Sequence, residues 1–502
     1  MSLFIKKPIE SLLTEATDTD KGLKRTLSSG ALVALGIGAI IGAGLFVRTA
    51  AAAAHNAGPS VTIGFIVAAI GCALAGLCYA EFASMIPIAG SAYTYSYATM
   101  GEFVAWIIGW DLILEYGVGA ATVGIAWSEY FNKFLELIHL NPVPYQWCHS
   151  PFESSGGVSG IMNIPALFIV LLLSLVLIRG TKGSASVNTI IVVTKVVIVI
   201  LIIIFGWQYI NPVNHTPYIP EPSTYTDEQG IAHNFGGIKG ILAAAGVVFF
   251  AFIGFDAVST AAQEAKNPKR DMPIGILGSL AICTILYILF SHVLTGVASV
   301  DDFRNQGREA SVTYAIKTYM TNHRWLGDFV TVAILAGFSS VILVMLLGQS
   351  RVFYSMSKDG LVPKVFSDLH PKYRTPYKSN LIFFVLVGIF AAFVPGNIVG
   401  EMTSIGTLFA FMLVCAGVMI LRKTNPEIPR QFKTPLVPFV PILGILVCGA
   451  MIFGLGWANW ARLAIWLVIG FIIYFLYSRK NSKLQQGKLV IPKDPVDPLN
   501  PL

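Results

Sequence analysis

The chain has 502 residues, 55% apolar and only 12% charged, with a formal net charge of +7. Soluble domains carry about a quarter charged residues, so a surface this poor in charge excludes a soluble globular enzyme, and the apolar content excludes disorder. The apolar residues gather into long runs, which makes lipid the solvent for much of the surface. No basic patch with interleaved aromatics supports a nucleic-acid partner.

In chain order, a polar stretch of some thirty residues precedes the first run. Residues 1–27 are expected to form a cytoplasmic segment with a short amphipathic helix at the inner surface. A membrane-spanning helix needs about 20 mostly apolar residues. Twelve runs meet the pattern, near 31–53, 60–84, 102–128, 162–180, 186–206, 239–262, 274–298, 328–356, 379–394, 401–421, 438–456 and 459–478. The first is too long and too far from the start for a cleaved signal peptide. Asn211–Ser223 is Pro-rich and predicts irregular loop. The tail 479–502 is polar and Pro-rich and is expected to be disordered. The six cysteines have no metal-ligand spacing and imply no disulfide framework. No cofactor motif is visible.

Basic residues test the topology. With the N-terminus cytoplasmic and each residue assigned to its nearer side, 25 of the 34 Lys and Arg residues fall inside and 8 outside, with Lys195 within a span. This bias obeys the positive-inside rule and predicts a multi-pass cell-membrane protein, all-α, with twelve transmembrane helices and both termini cytoplasmic.

Two runs are interrupted. Span one reads Gly36-Ile37-Gly38-Ala39-Ile40-Ile41-Gly42-Ala43-Gly44-Leu45-Phe46, four glycines in nine residues. Each costs a helix about 1 kcal/mol relative to alanine, and unwound backbone survives at membrane depth only where protein or a cavity covers it. The alternative is close helix packing through small residues. Span six reads Phe249-Phe250-Ala251-Phe252-Ile253-Gly254-Phe255-Asp256, an acid after a glycine in an apolar run. The start of span six lies five spans, an odd number, after the start of span one, so the two lie in oppositely oriented halves. Paired interruptions of this kind point to a transporter site near the midplane. Half-helix N-termini would receive a carboxylate, and unwound carbonyls an ammonium, so the expected ligand is an amino acid in a dry cradle between the breaks.

Charged groups at membrane depth are costly and mark function. Asp111 and Glu115, spaced i,i+4, should share one face of span three. Two carboxylates so close do not both ionise easily, which suits a proton carrier; Glu115 is also the acid available to a cationic side chain. Lys195, about ten residues from either end of span five, must be neutral or paired unless it snorkels. Asp256 is expected to cap the second half of span six. His292 is read as a hydrogen-bonded core residue, and Glu81, Arg351 and Lys358 as cytoplasmic gate or lipid contacts.

The Gly-Ala-Ile-Ile-Gly-Ala-Gly-Leu-Phe run resembles the first-helix signature of the amino acid–polyamine–organocation superfamily, as does Pro87-Ile88-Ala89-Gly90-Ser91-Ala92-Tyr93-Thr94-Tyr95. Phe250–Asp256, continuing through Glu264, Asn267-Pro268 and Pro273, resembles its cationic amino acid transporter branch, as do Gly348-Gln349-Ser350-Arg351 and Lys358-Asp359-Gly360-Leu361-Pro363. The resemblance covers about residues 25–425. It implies a 5+5 inverted repeat like that of the leucine transporter fold, with repeats at 28–206 and 207–425, and two further helices in 426–478. It implies that the amides of Ala43 and Gly44 hold the substrate carboxylate and that the carbonyls of Ile40, Phe250, Ala251 and Ile253 hold the α-amino group, with Ile41 and Gly254 completing the binding set. Phe250 would be a gating aromatic, and Lys195 would occupy the place of a structural sodium ion, which favours proton coupling through Lys195, Glu115 and Asp111.

These features lead to a secondary active amino acid permease, possible substrates including cationic amino acids, working by proton symport. An exchanger is the alternative within transport, and a membrane amino acid sensor the alternative outside it. An enzyme is disfavoured because no nucleophile with a nearby base can be picked out. A pore would need polar rings along several spans. No motif specifies a partner subunit.

Overall fold

The computed structural model describes residues 2–12, 25–42, 44–155, 157–226, 232–305, 307–454 and 457–488. The chain is overwhelmingly helical, because a backbone in lipid must satisfy its own N–H and C=O groups. Eight helices among the described residues are long and apolar enough to cross a membrane. Four further apolar helices are shorter: Ser29–Ile40, Ile164–Ile178, Tyr377–Phe393 and Phe439–Phe453. Every apolar run in the sequence overlies helix. The long helical stretch Gly44–Met85 is itself interrupted at Gly58, whose φ of +56° only glycine adopts readily.

The helices pack in two groups. Pro268–Val297 lies along Val61–Met85 and Ser29–Ile40, and Gly237–Phe249 joins them against Val61–Met85. Trp325–Lys358 lies along Gly119–Leu137, and Tyr377–Phe393 along Ile164–Ile178. The helix Thr181–Gly206 touches both groups, packing on Ser29–Ile40 and on Trp325–Lys358. Small residues set the closest approaches. A Cβ on Gly36 would sit 2.2 Å from Ser279 Oγ, and one on Gly38 2.5 Å from Asn188 Oδ1. Part of the glycine run in the first helix therefore serves close packing.

One end of the bundle carries the longer loops. There Ser223–Thr226 pairs antiparallel with Ala232–Phe235, in the register Ser223↔Phe235. Asn211–Ser223, expected to be irregular, contains a 3₁₀ turn at Pro212–His215 that docks on the end of Pro268–Val297: the Asn211 N–H and the Asn214 side chain both donate to the Gly296 carbonyl, at 2.9 and 2.8 Å. Two helices not anticipated, Val300–Asn305 and Gly307–Tyr319, cover the same end. Their signal was present: Val312, Ala315, Ile316 and Met320 are buried at helical spacing.

The opposite end gathers both described terminal segments. The N-terminal segment is not a helix over its first residues but an extended strap. The Lys7 N–H donates to the Tyr97 carbonyl (3.1 Å), and the N–H groups of Glu102 and Phe103 donate to Ile5 and Leu3 (2.9 and 3.0 Å). The strap needs Gly101, where φ is +99° and a Cβ would lie 2.6 Å from the Phe4 carbonyl. The tail is ordered as far as residue 488, which corrects the expected disorder over that part; 489–502 lie outside the described residues. The Ser482 hydroxyl donates to Glu102, and the Lys483 N–H to the Asp359 carbonyl. Asp359 also accepts from Lys7 Nζ and Tyr93 Oη, both at 2.6 Å.

Candidate functional site

The first helix comes apart at Ile41. Its α-helical winding ends at Ile40, and Ile41 turns to extended backbone (φ −75°, ψ 102°) while its N–H still donates to the Ile37 carbonyl. Ala43 lies outside the described residues. Winding resumes as a wide π-type turn over Gly44–Arg48, a geometry that recurs at functional sites. The second helix breaks after Phe249: Phe250–Phe252 form a 3₁₀ turn, Ile253 is extended (ψ 136°), and Gly254 takes φ +108° before Ala257–Thr260 resumes. Glycine is required twice over at 254, since a Cβ would also lie 2.8 Å from Ala39 Cβ.

The two breaks touch. A Cβ on Gly44 would fall 2.2 Å from Ala251 Cα, so Gly44 is the residue that lets backbone meet backbone. The expected cradle is therefore closed in this conformation, and Gly44 and Ala251 must separate before anything sits between them. Phe250 is half-buried at this junction, and the guanidinium of Arg48 lies over its ring, 5.3 Å from the centroid.

Tyr287 ties the breaks together and was missed in the sequence. Its hydroxyl lies 2.8 Å from the Ile40 carbonyl and 2.9 Å from that of Ala251. With one proton it donates to one carbonyl at a time while remaining close to both. Two of the four carbonyls assigned to a substrate ammonium thus already share a donor. The clue was available: a tyrosine inside an apolar run needs a partner for its hydroxyl, and broken helices supply spare carbonyls.

Lys195 is fully buried and does not snorkel. Its Nζ donates to the carbonyls of Gly38 (2.9 Å) and Ile41 (2.6 Å) and to Ser340 Oγ (2.7 Å). Three donors meet three acceptors, and the amine joins the first break to both Thr181–Gly206 and Trp325–Lys358.

Asp111 and Glu115 lie close enough to interact, as their i,i+4 spacing predicts, and Asp256 joins them as a third acid. A π-type turn over Ile113–Val118 re-phases the helix between Asp111 and Glu115. Asp111 is placed against Gly406, where a Cβ would lie 3.3 Å from its Oδ1. Glu115 interacts with Asp256. Both acids are fully buried, and Asp111 makes no side-chain hydrogen bond among the described residues. Asp256 does not cap the half-helix that follows it; it accepts the Tyr116 hydroxyl instead. Asp256 itself has helical φ and ψ rather than the extended backbone of an N-cap, although its carboxyl stays near its own N–H and that of Ala257.

The remaining polar residues fall at the ends. Arg351 and Glu264 form a buried ion pair at 2.7 Å near the end that carries the termini, beside a small cavity of about 10 Å³ lined by Leu27, Leu35, Leu177 and Leu343. Glu81 pairs with Arg422 (2.7 Å) and Arg430 (3.2 Å). The Lys358 carbonyl accepts from Lys483 Nζ. His292, at the loop end, is 3.2 Å from the Tyr218 hydroxyl.

The profile of the amino acid permease family matches residues 27–478. The chain is 44% identical, over 97% of its length and 99% of the relative's, to the branched-chain amino acid permease BcaP of Bacillus subtilis (strain 168). It is 40% identical, over 97% of its length and 100% of the relative's, to the methylthioribose transporter of the same organism. It is 33% identical, over 85% of its length and 68% of the relative's, to cationic amino acid transporter 4, vacuolar, of Arabidopsis thaliana. A chain that matches this family over nearly its whole length, with two broken helices meeting at its centre, belongs to the amino acid permeases of the amino acid–polyamine–organocation superfamily and is a transporter rather than an enzyme.

Proposed function

We propose that the protein is a secondary active transporter that takes up an amino acid together with protons by alternating access. The observation that carries this reading is the junction of the two breaks, bridged by Tyr287 with the Lys195 amine seated beneath the first. Separation of Gly44 from Ala251 would give a zwitterion its site. The amides near Ala43 and Gly44 would take the carboxylate. The carbonyls of Ile40, Phe250, Ala251 and Ile253 would take the ammonium, displacing the Tyr287 hydroxyl. Ile41 and Gly254 complete the site, and Phe250 closes it.

In this reading all twelve apolar runs cross the cell membrane, as a 5+5 inverted repeat with two further helices, and both termini are cytoplasmic. The two packing groups support rocking of one against the other. Lys195 occupies the place of a structural cation, and Glu115 with Asp111 carries the coupled proton. The full burial of both acids supports that role, since a buried carboxyl is more easily tolerated neutral.

The names of the relatives span branched-chain amino acids, cationic amino acids and methylthioribose. A donor-and-acceptor pair of helix breaks fits a zwitterion better than an uncharged sugar. Proteoliposome uptake with an imposed inward proton gradient tests the whole reading. Accumulation should follow the gradient, and collapse with a protonophore. Uptake that needs internal amino acid and ignores the gradient would make the protein an exchanger; competition by methylthioribose but by no amino acid would remove the amino acid.

A further inference from the structure

Ser91 is held in a backbone conformation that favours glycine, with φ +50° and ψ −140°. Such backbone persists only where its surroundings fix it, and it gathers at working sites. Ser91 opens the helix Ala92–Thr99, just after the turn that ends Val61–Met85, and is fully buried. Its partner belongs to the second broken helix: the Ser259 hydroxyl donates to the Ser91 hydroxyl at 2.7 Å. Ser259 lies in Ala257–Thr260, the half-helix that follows Asp256. A polar contact therefore joins the stretch that carries a buried acid to the turn after the second span.

Two tyrosines stand between that contact and the acids. Tyr95, on Ala92–Thr99, brings its hydroxyl to Ser259, and its ring packs on that of Tyr79, with 6.3 Å between centroids. Tyr79, on Val61–Met85, interacts in turn with Asp256 and Glu115. Both tyrosines are fully buried. The Tyr79 hydroxyl has no hydrogen-bond partner among the described residues. A buried hydroxyl left without a partner costs free energy, so its place beside two acids calls for a use. Phe82 stacks on Tyr95, and Phe255 and Phe411 pack edge-on against Tyr79, so the surrounding wall offers mostly apolar ring. The line leads to the end that gathers the terminal segments, because the Lys7 N–H donates to the Tyr97 carbonyl on the same short helix as Tyr95. Pro87, in the turn before Ser91, is half-buried there.

We propose that Tyr79, Tyr95, Ser259 and Ser91 relay the coupled proton from Glu115 and Asp256 to the end that carries the termini. The inference rests on the proton-symport reading above and gives that proton its exit. Every hydroxyl both accepts and donates, so the relay is a chain of exchanges. The acid pair gives a proton to the Tyr79 oxygen while Tyr79 passes its own to Tyr95. Tyr95 passes one to Ser259, Ser259 to Ser91, and Ser91 to water. The acid pair loses one proton, water gains one, and no hydroxyl ends with a changed charge. The Ser259–Ser91 bond, with Ser259 donating, already has the direction that outward passage requires. The chain is open at Tyr79 in this conformation, which keeps the proton on the acids while the junction of the two breaks is closed.

The test is the ratio between two fluxes. Net uptake must release the proton on the far side, whereas exchange of internal for external amino acid returns the carrier still protonated. Purified protein in proteoliposomes is given a radiolabelled mixture of the common amino acids. Net uptake under an inward proton gradient is compared with exchange at equal pH, the vesicles then being preloaded with the unlabelled mixture. A positioned proton carrier contributes about a hundredfold or more and water replaces it only in part, so Tyr79→Phe and Ser259→Ala should each lower the ratio of net uptake to exchange at least about tenfold. Ser259→Thr, which keeps the hydroxyl, should restore the ratio. A ratio that stays put in either hydroxyl-free variant overturns the proposal, because a merely structural tyrosine or serine slows both fluxes alike. If Tyr79→Phe does not fold, the Ser259→Ala and Ser259→Thr pair decides by the same ratio. Net uptake by the unaltered protein that ignores the gradient would instead bring down the symport reading beneath, and the relay with it.

Discussion

The amine of Lys195 lies 2.6 Å from the carbonyl oxygen of Ile41, the residue at which the first helix comes apart. A buried side chain thus holds open backbone that a continuous helix would have satisfied by itself. Its two other contacts, Gly38 and Ser340, fix the same stretch against a second helix group. In the proposed proton-coupled cycle, loss of one proton from that amine would change the number of donors available to the break.

Replacing Lys195 by alanine should therefore separate coupling from binding. Charge-assisted hydrogen bonds contribute about 1.5–3 kcal/mol each, so gradient-driven accumulation should fall by about tenfold or more. Equilibrium binding, measured by calorimetry in detergent, should change by less than about threefold. Equal losses in both would leave Lys195 a structural residue only.

Tyr287→Phe removes the donor shared by Ile40 and Ala251. The closed junction should lose about 1 kcal/mol, seen as a lower Tm without ligand. Substrate binding should tighten by up to about fivefold, because the ammonium no longer displaces a hydroxyl. Binding that weakens tenfold would mean that the hydroxyl touches the substrate directly.

Gly44→Ala puts a methyl group where the Ala251 backbone stands. Overpacking of this kind costs about 1–3 kcal/mol, and here the neighbour is main chain that cannot rotate away. The variant should bind substrate yet transport slowly, because the closed junction is the conformation penalised. Measuring binding by calorimetry beside uptake separates the two; normal uptake would show that the junction need not close.

His215, on the loop that docks at Gly296, has its basicity lowered, first by burial and then by the neighbouring His292. A histidine lowered in the folded state stabilises above its unfolded pKa near 6.5, and that stability is lost as pH falls below it. Amide exchange over 211–216, corrected for its intrinsic pH dependence, should be slow at pH 7.5 and faster at pH 5.5. His215→Gln should flatten the difference; a loop equally protected at both values would show that docking does not depend on the histidine.

Legibility in the sequence followed the range of the forces involved. Each apolar run marked a helix because lipid leaves backbone no partner but itself. The breaks at Ile41–Gly44 and Phe250–Gly254 were visible because glycine and an acid stand where neither favours a lipid-exposed helix. The same composition misjudged local detail where tertiary partners take over. The strap at Leu3–Lys7 exists only because Gly101 lets it approach, and the tail at Ser482 only because Glu102 accepts its hydroxyl. The i,i+4 spacing of Asp111 and Glu115 did not foresee the π-type turn at Ile113–Val118 or the third acid, Asp256, that interacts with Glu115.

What the sequence determined alone is therefore the set of helices, the two places where they fail and the residues whose burial demands a partner. What only the tertiary structure decided is who those partners are. Tyr287, Tyr116 and Ser340 look like ordinary residues of apolar runs, and nothing local distinguishes them. Their roles arise because helices distant in the chain bring a hydroxyl to a carbonyl or carboxylate, and hydrogen bonds act over about 3 Å whereas sequence periodicity reports only which face is buried.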